Sequence, residues 1–185
     1  MTITKWAIDP AHTEVQFKVK HLVISNVTGS FKTFSGSVTT EGEDFETAKI
    51  DFALDVQSID TNQSQRDEHL RSGDFFDAPN YPQIKFISTS LKKVSGINYK
   101  LSGNLTMRGI TQPLDLNVEY GGSEKDGYGN VKHGFEVTGK INRKDFGITH
   151  NIVTEAGGLT LGEEIKLIAN IQIAQVVEKR MEAKA

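Results

Sequence analysis

The residues best suited to chemistry crowd into one polar block, Ser58 to Asp77, where Arg66, Asp67, His69, Arg71 and Asp74 stand close together in the chain. Guanidinium forks beside an imidazole suit an anionic group such as a phosphate. A histidine near a carboxylate suits proton transfer. A purely structural role competes with both: Arg66 and Asp67 would pin the segment to Asp60 and to loop carbonyls, and the local excess of carboxylates, which repels an anion, favours that role. Helix punctuation frames the block, with Thr61 or Asn62 as N-cap and Gly73 as stop, and predicts a helical insertion over about 62–73. Helical spacing places Arg66, His69 and Leu70 on one side and pairs Asp67 with Arg71. The block ends in Phe75 and Phe76.

Other chemistry finds little support. The five histidines, His12, His21, His69, His133 and His150, are far apart and lack a His-x-x-x-His pair, so a zinc site would need three to converge across strands and no metal ligand is assigned. There are no cysteines, which excludes disulfides and thiolate chemistry. Ser58, Ser64 and Ser88 have neither an elbow motif nor an evident base. Asp145-Phe146-Gly147 repeats three letters of the kinase signature with no glycine-rich loop before it, and is set aside. Sequons at Asn26, Asn62 and Asn104 carry no meaning without secretion.

The rest of the chain reads as strands. Ile3 to Ile8 is stopped by Asp9-Pro10; His12 to Leu22 and Val27 to Thr40 follow, the latter with Gly29 and Gly36 inside it. Ala48 to Val56 alternates most cleanly: Ile50, Phe52 and Leu54 share one face while Lys49, Asp51 and Asp55 take the other, so a one-residue slip would bury charge. Beyond the polar block come Ile84 to Leu91, Asn98 to Met107, Ile110 to Tyr120, Val131 to Ile141 and Glu163 to Val177. Turns are expected at Val94-Ser95-Gly96, at Arg108-Gly109, from Gly121-Gly122 to Gly129, and at Ala156-Gly157-Gly158. Val176 to Lys184 has a helical look and reads as a frayed continuation of the last strand.

Eight or nine long antiparallel strands, each with one dry face, must form a sandwich or a closed barrel, and their length favours an all-β barrel with one short helical insertion. Small inward residues, Ala48, Gly103, Gly139 and Ala169, beside inward phenylalanines leave two options open, a ligand cavity or a solid interdigitated core. A membrane barrel would turn its apolar face outward, between aromatic girdles, and a single Trp does not supply these. At 185 residues one domain, 1–185, suffices. A net charge of -3 with no basic run argues against nucleic acid. No stretch is long and apolar enough to span a membrane, so no stable insertion is expected. The N-terminus lacks an apolar signal region, which points to the cytoplasm; had a signal peptide been removed, the same residues would read as a mature periplasmic N-terminus.

Taken in order, the residues carry a family pattern. Trp6, Ile8, Asp9 and His12; His21, Leu22, Val27, Gly29 and Phe31; Ser58 to Thr61 with Arg66, Asp67 and His69 to Ser72; Asp74 to Phe76; Tyr81, Pro82, Ile84 and Phe86; Gly103, Leu105, Thr106 and Gly109 to Thr111; and Asn142, Arg143 and Asp145 to Gly147 together resemble the YceI-like family. The resemblance runs from Trp6 nearly to the last strand. It implies an extended lipocalin-like antiparallel barrel of about eight strands that binds a long polyisoprenoid, a polyprenyl diphosphate or an isoprenoid quinone, for carriage, storage or sequestration. No other cofactor and no catalysis are implied.

On that reading Phe17, Val19, Phe31, Phe52, Leu70, Phe76, Phe86, Leu105 and Phe135 are expected to touch the lipid tail. Phe34, Phe75, Phe146 and Ile148 belong near the mouth, with Arg66, His69, Arg108 and Arg143 as head-group candidates. The alternative is an enzyme acting on a hydrophobic substrate, with His69 or His21 as base beside Asp60 or Asp67. A solid-cored protein that binds nothing small is a third reading, and monomer and homodimer both stay open.

Overall fold

The structure, a computed structural model, describes residues 2–22, 25–151 and 161–177. Eleven strand segments and one α-helix follow the alternation: β1 (Ile3–Ile8), β2 (Glu14–His21), β3 (Ser25–Phe31), β4 (Phe34–Glu41), β5 (Asp44–Asp55), β6 (Ile59–Asp60), α1 (Ser64–Arg71), β7 (Gln83–Ser95), β8 (Asn98–Met107), β9 (Ile110–Lys125), β10 (Val131–Asn142) and β11 (Leu161–Gln175). All neighbouring pairs are antiparallel.

The segments make an eight-stranded barrel because the first six are three long strands, each broken once. A 3-10 turn at Pro10–His12 separates β1 from β2; Asp9 caps it by accepting from the Ala11 amide at 3.0 Å. Another at Val56–Ser58 separates β5 from β6, capped in the same way by Asp55. The continuous strand expected over Val27 to Thr40 breaks between Phe31 and Phe34, because Lys32 donates to the Ser58 carbonyl and Thr33 accepts from the Asp55 amide. Each half then pairs with the matching half of its neighbour: β1 with β4 and β4 with β5, β2 with β3 and β3 with β6. β11 closes the ring. It pairs with β10 along one side, and on the other with β2 through Leu161–Asn170 and then with β1 through Ile173–Gln175.

One seam stays open. β7 pairs with β5 through Asp51–Asp55 and not with β6, and α1 with the turn after it fills the gap. The helix begins later than its punctuation suggests. Asn62 takes a left-handed φ of 63°, Gln63 precedes the first turn without a side-chain cap, and Ser72 rather than Gly73 ends it. Asp67 and Arg71 do not pair along the helix. Asp67 accepts from the Thr61 amide and hydroxyl, and Arg71 donates to the carbonyls of Gln57 and Ile59, so both fasten α1 to the end of β6.

Strand faces follow the expected register, with apolar residues inside and charged ones such as Lys100 and Asp115, 3.3 Å apart, outside. That is the reverse of a membrane barrel. Among the described residues no helix is long and apolar enough to cross a membrane. Arg108 and Gly109, both at positive φ, form the two-residue turn between β8 and β9. The helical reading of Val176 to Lys184 lies mostly outside the described residues; Val176 and Val177 are irregular.

Three inward glycines make room for large side chains: a Cβ on Gly103 would lie 2.4 Å from the Phe86 ring, one on Gly139 2.3 Å from Leu116, and one on Gly29 2.3 Å from Phe17. Gly103→Ala is expected to destabilise the barrel by roughly 1–3 kcal/mol, whereas Gly134→Ala, whose Cβ meets nothing within 4 Å, costs far less. Urea unfolding followed by circular dichroism compares them; equal costs would mean that the Phe86 ring and the Ile87 carbonyl, 2.5 Å from the added Cβ, both give way freely.

Candidate functional site

Inside the barrel the side chains leave a cavity of about 220 Å³ in which, among the described residues, Gln16 is the only polar lining residue. The lining comes from every strand of the ring, including Phe31, Phe52, Phe86, Leu101, Leu105 and Phe135, so the pore is a product of closure rather than of any one element. An apolar cavity of about 150 Å³ is enough to stay dry and take benzene.

The base is shut by aromatic rings. Trp6 lies 5.6 Å from Phe45 and 5.0 Å from His133, and Phe45 meets Phe135 edge to face at 5.3 Å. Trp6 Nε1 donates to Thr40 Oγ1 at 2.9 Å, giving the buried indole the partner it needs. His133 is buried in this plug, with Nδ1 2.7 Å from the Tyr120 hydroxyl and Nε2 without a hydrogen-bond partner. Burial pushes its imidazole below the ordinary value of 6.5, and Glu43 opposes this weakly.

At the α1 end a second, more polar cavity of about 420 Å³ adjoins the pore, and Phe17, Phe76 and Ile165 line both. Phe31 stands between Phe17 and Phe76, at ring distances of 5.7 and 6.0 Å. Phe75, Leu70, Val19 and Ile148 line the outer cavity together with His21, Gln63, Gln65, Arg66, His69, Arg143 and His150.

The expected ligand contacts thus gather around two adjoining spaces. Phe17, Phe31, Phe52, Phe76, Phe86, Leu105 and Phe135 surround the pore, and Val19, Leu70, Phe75, Ile148, Arg66, His69 and Arg143 the outer cavity. Phe34, Phe146 and Arg108 line neither. Phe34 stacks on Phe52 at 5.9 Å, and Phe146 is buried under the rim. The pore lining also includes Ile8, Phe45, Leu91 and Met107, of which alternation places Met107 on one face with Leu101 and Leu105. Ile8 and Met107 keep the inward phase of their strands, whereas Leu91 and Phe45 stand out of phase with Ile84 and Phe86 and with Ala48, Ile50 and Phe52, where the pairing shifts register between Ser88 and Ser90 and between Thr39 and Glu41.

The arginines chiefly hold the rim together. Arg143, 1% exposed, donates to the carbonyls of Gly162, Ile148 and His150 at 2.8 to 2.9 Å, and to that of Leu161 at 3.4 Å. Its neighbours complete the motif: Asn142 caps the short 3-10 helix Arg143–Phe146, Phe146 is buried, and Gly147 takes the left-handed φ of 73° that ends it. Arg108 reaches from its hairpin to the carbonyls of Gly73 and Gly147, and Arg66 donates to the hydroxyl and carbonyl of Thr61, not to Asp60.

The acid beside His69 is neither Asp60 nor Asp67. Asp60 caps the Asn62 amide, and Asp67 is taken by Thr61. The turn after α1 instead folds Asp74 back so that its Oδ2 lies 2.9 Å from His69 Nε2 and 3.8 Å from His150 Nδ1. The hydrogen bond with His69, then the charges of His150, His69 and Arg108, hold the Asp74 carboxyl below its usual range. No spacing in the sequence pointed to His150.

An up-and-down barrel with a sealed base, an apolar bore and one open end is the architecture of a small-molecule binding barrel of the lipocalin type. The chain belongs to the YceI-like domain family, whose model matches residues 6–173. A UPF0312 protein of Staphylococcus aureus is 36% identical over 93% of this chain and 98% of its own. The YceI protein of Campylobacter jejuni, whose crystal structure is solved, is 35% identical and superposes with a TM-score of 0.73 over 92% of this chain and 96% of that one. A domain from Saccharophagus degradans, described as polyisoprenoid-binding and implicated in plant cell wall breakdown, shares the fold with a TM-score of 0.64 at 15% identity, covering 91% of this chain and 97% of that one.

Two outcomes follow from the buried groups. Arg143→Lys keeps the charge but loses the fork that serves several carbonyls, and is expected to lower unfolding free energy by on the order of 2–3 kcal/mol in a urea titration; a change within experimental error would show that the carbonyls find water instead. His133 titrates lower in the folded than in the unfolded chain, so below the ordinary value of 6.5 the unfolded state holds more protons and stability falls with falling pH. The lowered carboxylates, among them Asp9 and Glu163, begin to act only below their ordinary values of 3.8 and 4.5. Thermal melts between about pH 7 and 5 should therefore decline for the natural chain and much less for His133→Phe; an equal decline in both would clear His133 of the effect.

Proposed function

We propose that the protein is a binding module for a long polyisoprenoid, a polyprenyl diphosphate or an isoprenoid quinone, which it carries, stores or sequesters. The observation behind this reading is the bore itself, shut by aromatic rings at one end, lined among the described residues by apolar side chains save Gln16, and adjoining a more polar vestibule with which it shares Phe17, Phe76 and Ile165. The Saccharophagus domain described as polyisoprenoid-binding lends support through its shared fold.

Magnitudes agree with a tail-driven ligand. At about 0.8 kcal/mol per buried methylene, each five-carbon unit contributes on the order of 3–4 kcal/mol, so a few units offset an association cost of about 4–15 kcal/mol. The head group then has little to add. The guanidinium groups nearest the vestibule already serve carbonyls and Thr61, which leaves Gln63, Gln65, Asn151 and the imidazoles of His21, His69 and His150 as its neighbours.

Native mass spectrometry of the purified chain, with and without an added polyprenyl diphosphate or isoprenoid quinone, tests this. The natural protein is expected to take up one lipid, and Ala169→Phe, which fills the bore, to bind at least roughly tenfold more weakly. A natural chain that gains no lipid mass under these conditions would sink the proposal. The enzyme reading has the His69–Asp74 pair in its favour, and His69→Ala separates the two. A carrier keeps lipid affinity within a few fold, whereas proton-transfer catalysis falls by roughly 10² to 10⁴.

A further inference from the structure

Two histidines and an aspartate from distant parts of the chain converge at the rim of the vestibule. His69 comes from α1, Asp74 from the turn that follows it, and His150 from the segment beyond the 3-10 helix Arg143–Phe146. Their donor atoms, His69 Nε2, Asp74 Oδ2 and His150 Nδ1, lie 2.9 and 3.8 Å apart in the two pairs that share Asp74, and all fall within 4.8 Å of one another. Donors around a tetrahedral zinc at about 2.0–2.2 Å stand on the order of 3.3–3.6 Å from each other. The spacings found here bracket that value, so a common ion needs only small side-chain adjustments.

The rings are held for it. Phe75 meets His69 edge to face at 5.0 Å and His150 at 5.2 Å, and the imidazoles themselves cross at 5.2 Å. This packing fixes ring orientation without occupying a ring nitrogen. An ordinary surface pair accounts for one histidine on a carboxylate. It does not account for a second imidazole brought to the same oxygen from the far side of the barrel mouth. Among the described residues no other three His, Asp or Glu side chains gather in this way.

We propose that His69, Asp74 and His150 form a site for a divalent transition-metal ion of the zinc class, with a fourth position left for water or for an oxygen donor in the vestibule. Two imidazoles and one carboxylate suit zinc, copper or iron(II) better than calcium or magnesium, which prefer more oxygen ligands. Arg108, whose charge acts on Asp74, opposes a cation there and tempers the affinity. The site stands on these three side chains alone and does not depend on what fills the bore.

Cobalt(II) chloride serves as the probe. Titrated into the purified full chain, it is expected to bind one to one with the intense visible bands of four- or five-coordinate cobalt, and zinc chloride is expected to displace it. Asp74→Asn, which preserves shape, and His150→Ala should each weaken binding by at least roughly tenfold. His12→Ala removes the other close exposed histidine–aspartate pair, 2.8 Å from Asp9, and should leave it unchanged. Circular dichroism confirms that each variant is folded. Absence of the bands in the natural chain, or undiminished binding in both Asp74→Asn and His150→Ala, would overturn the proposal.

Discussion

Closure of the sheet through β11 is the constraint on which the rest depends. That strand is hydrogen-bonded on one side to β10 and on the other first to β2 and then to β1, so a single element secures both halves of a broken first strand. Where the ring closes, through β1, β4, β5 and β7 to β11, the sheet has no free edge, and the inward residues must share one interior whatever their size. The bore, its sealed base and its one open end follow from that ring and from the choice of side chains that do not quite fill it.

The open seam shows what closure costs locally. β7 runs beside β5 but not beside β6, and the gap is covered by a helix with almost no apolar residues of its own. What holds α1 is therefore polar. Asp67 takes two hydrogen bonds from Thr61, and Arg66 and Arg71 return theirs to Thr61, Gln57 and Ile59. Buried and half-buried polar groups of this kind are stable only when every member is satisfied. That accounts for charged residues concentrated where a hydrophobic helix would ordinarily be used.

Alternation made the barrel legible. Lys49, Asp51 and Asp55 against Ile50, Phe52 and Leu54 leave one register for β5, and the pore phenylalanines follow from it. The break between Phe31 and Phe34 leaves only a change of phase in the sequence, the inward set passing from Val27, Gly29 and Phe31 to Gly36, Val38 and Thr40 across Lys32-Thr33, while its cause lies in Ser58 and Asp55, distant in the chain. Arginines invite the reading of an anion site, since type and proximity are all a sequence displays; the partners of Arg143 are main-chain carbonyls brought by folding. His150 had no local mark at all. Its meeting with His69 is made by the order of strands, which no spacing between residues 69 and 150 records.

The aromatic plug at the base, built around Trp6, Phe45 and His133, gives the barrel a direction. A tube with one door admits and releases by the same face. Any molecule held in such a tube meets the aromatic plug at one end and α1 at the other, so its two ends stand in unlike surroundings.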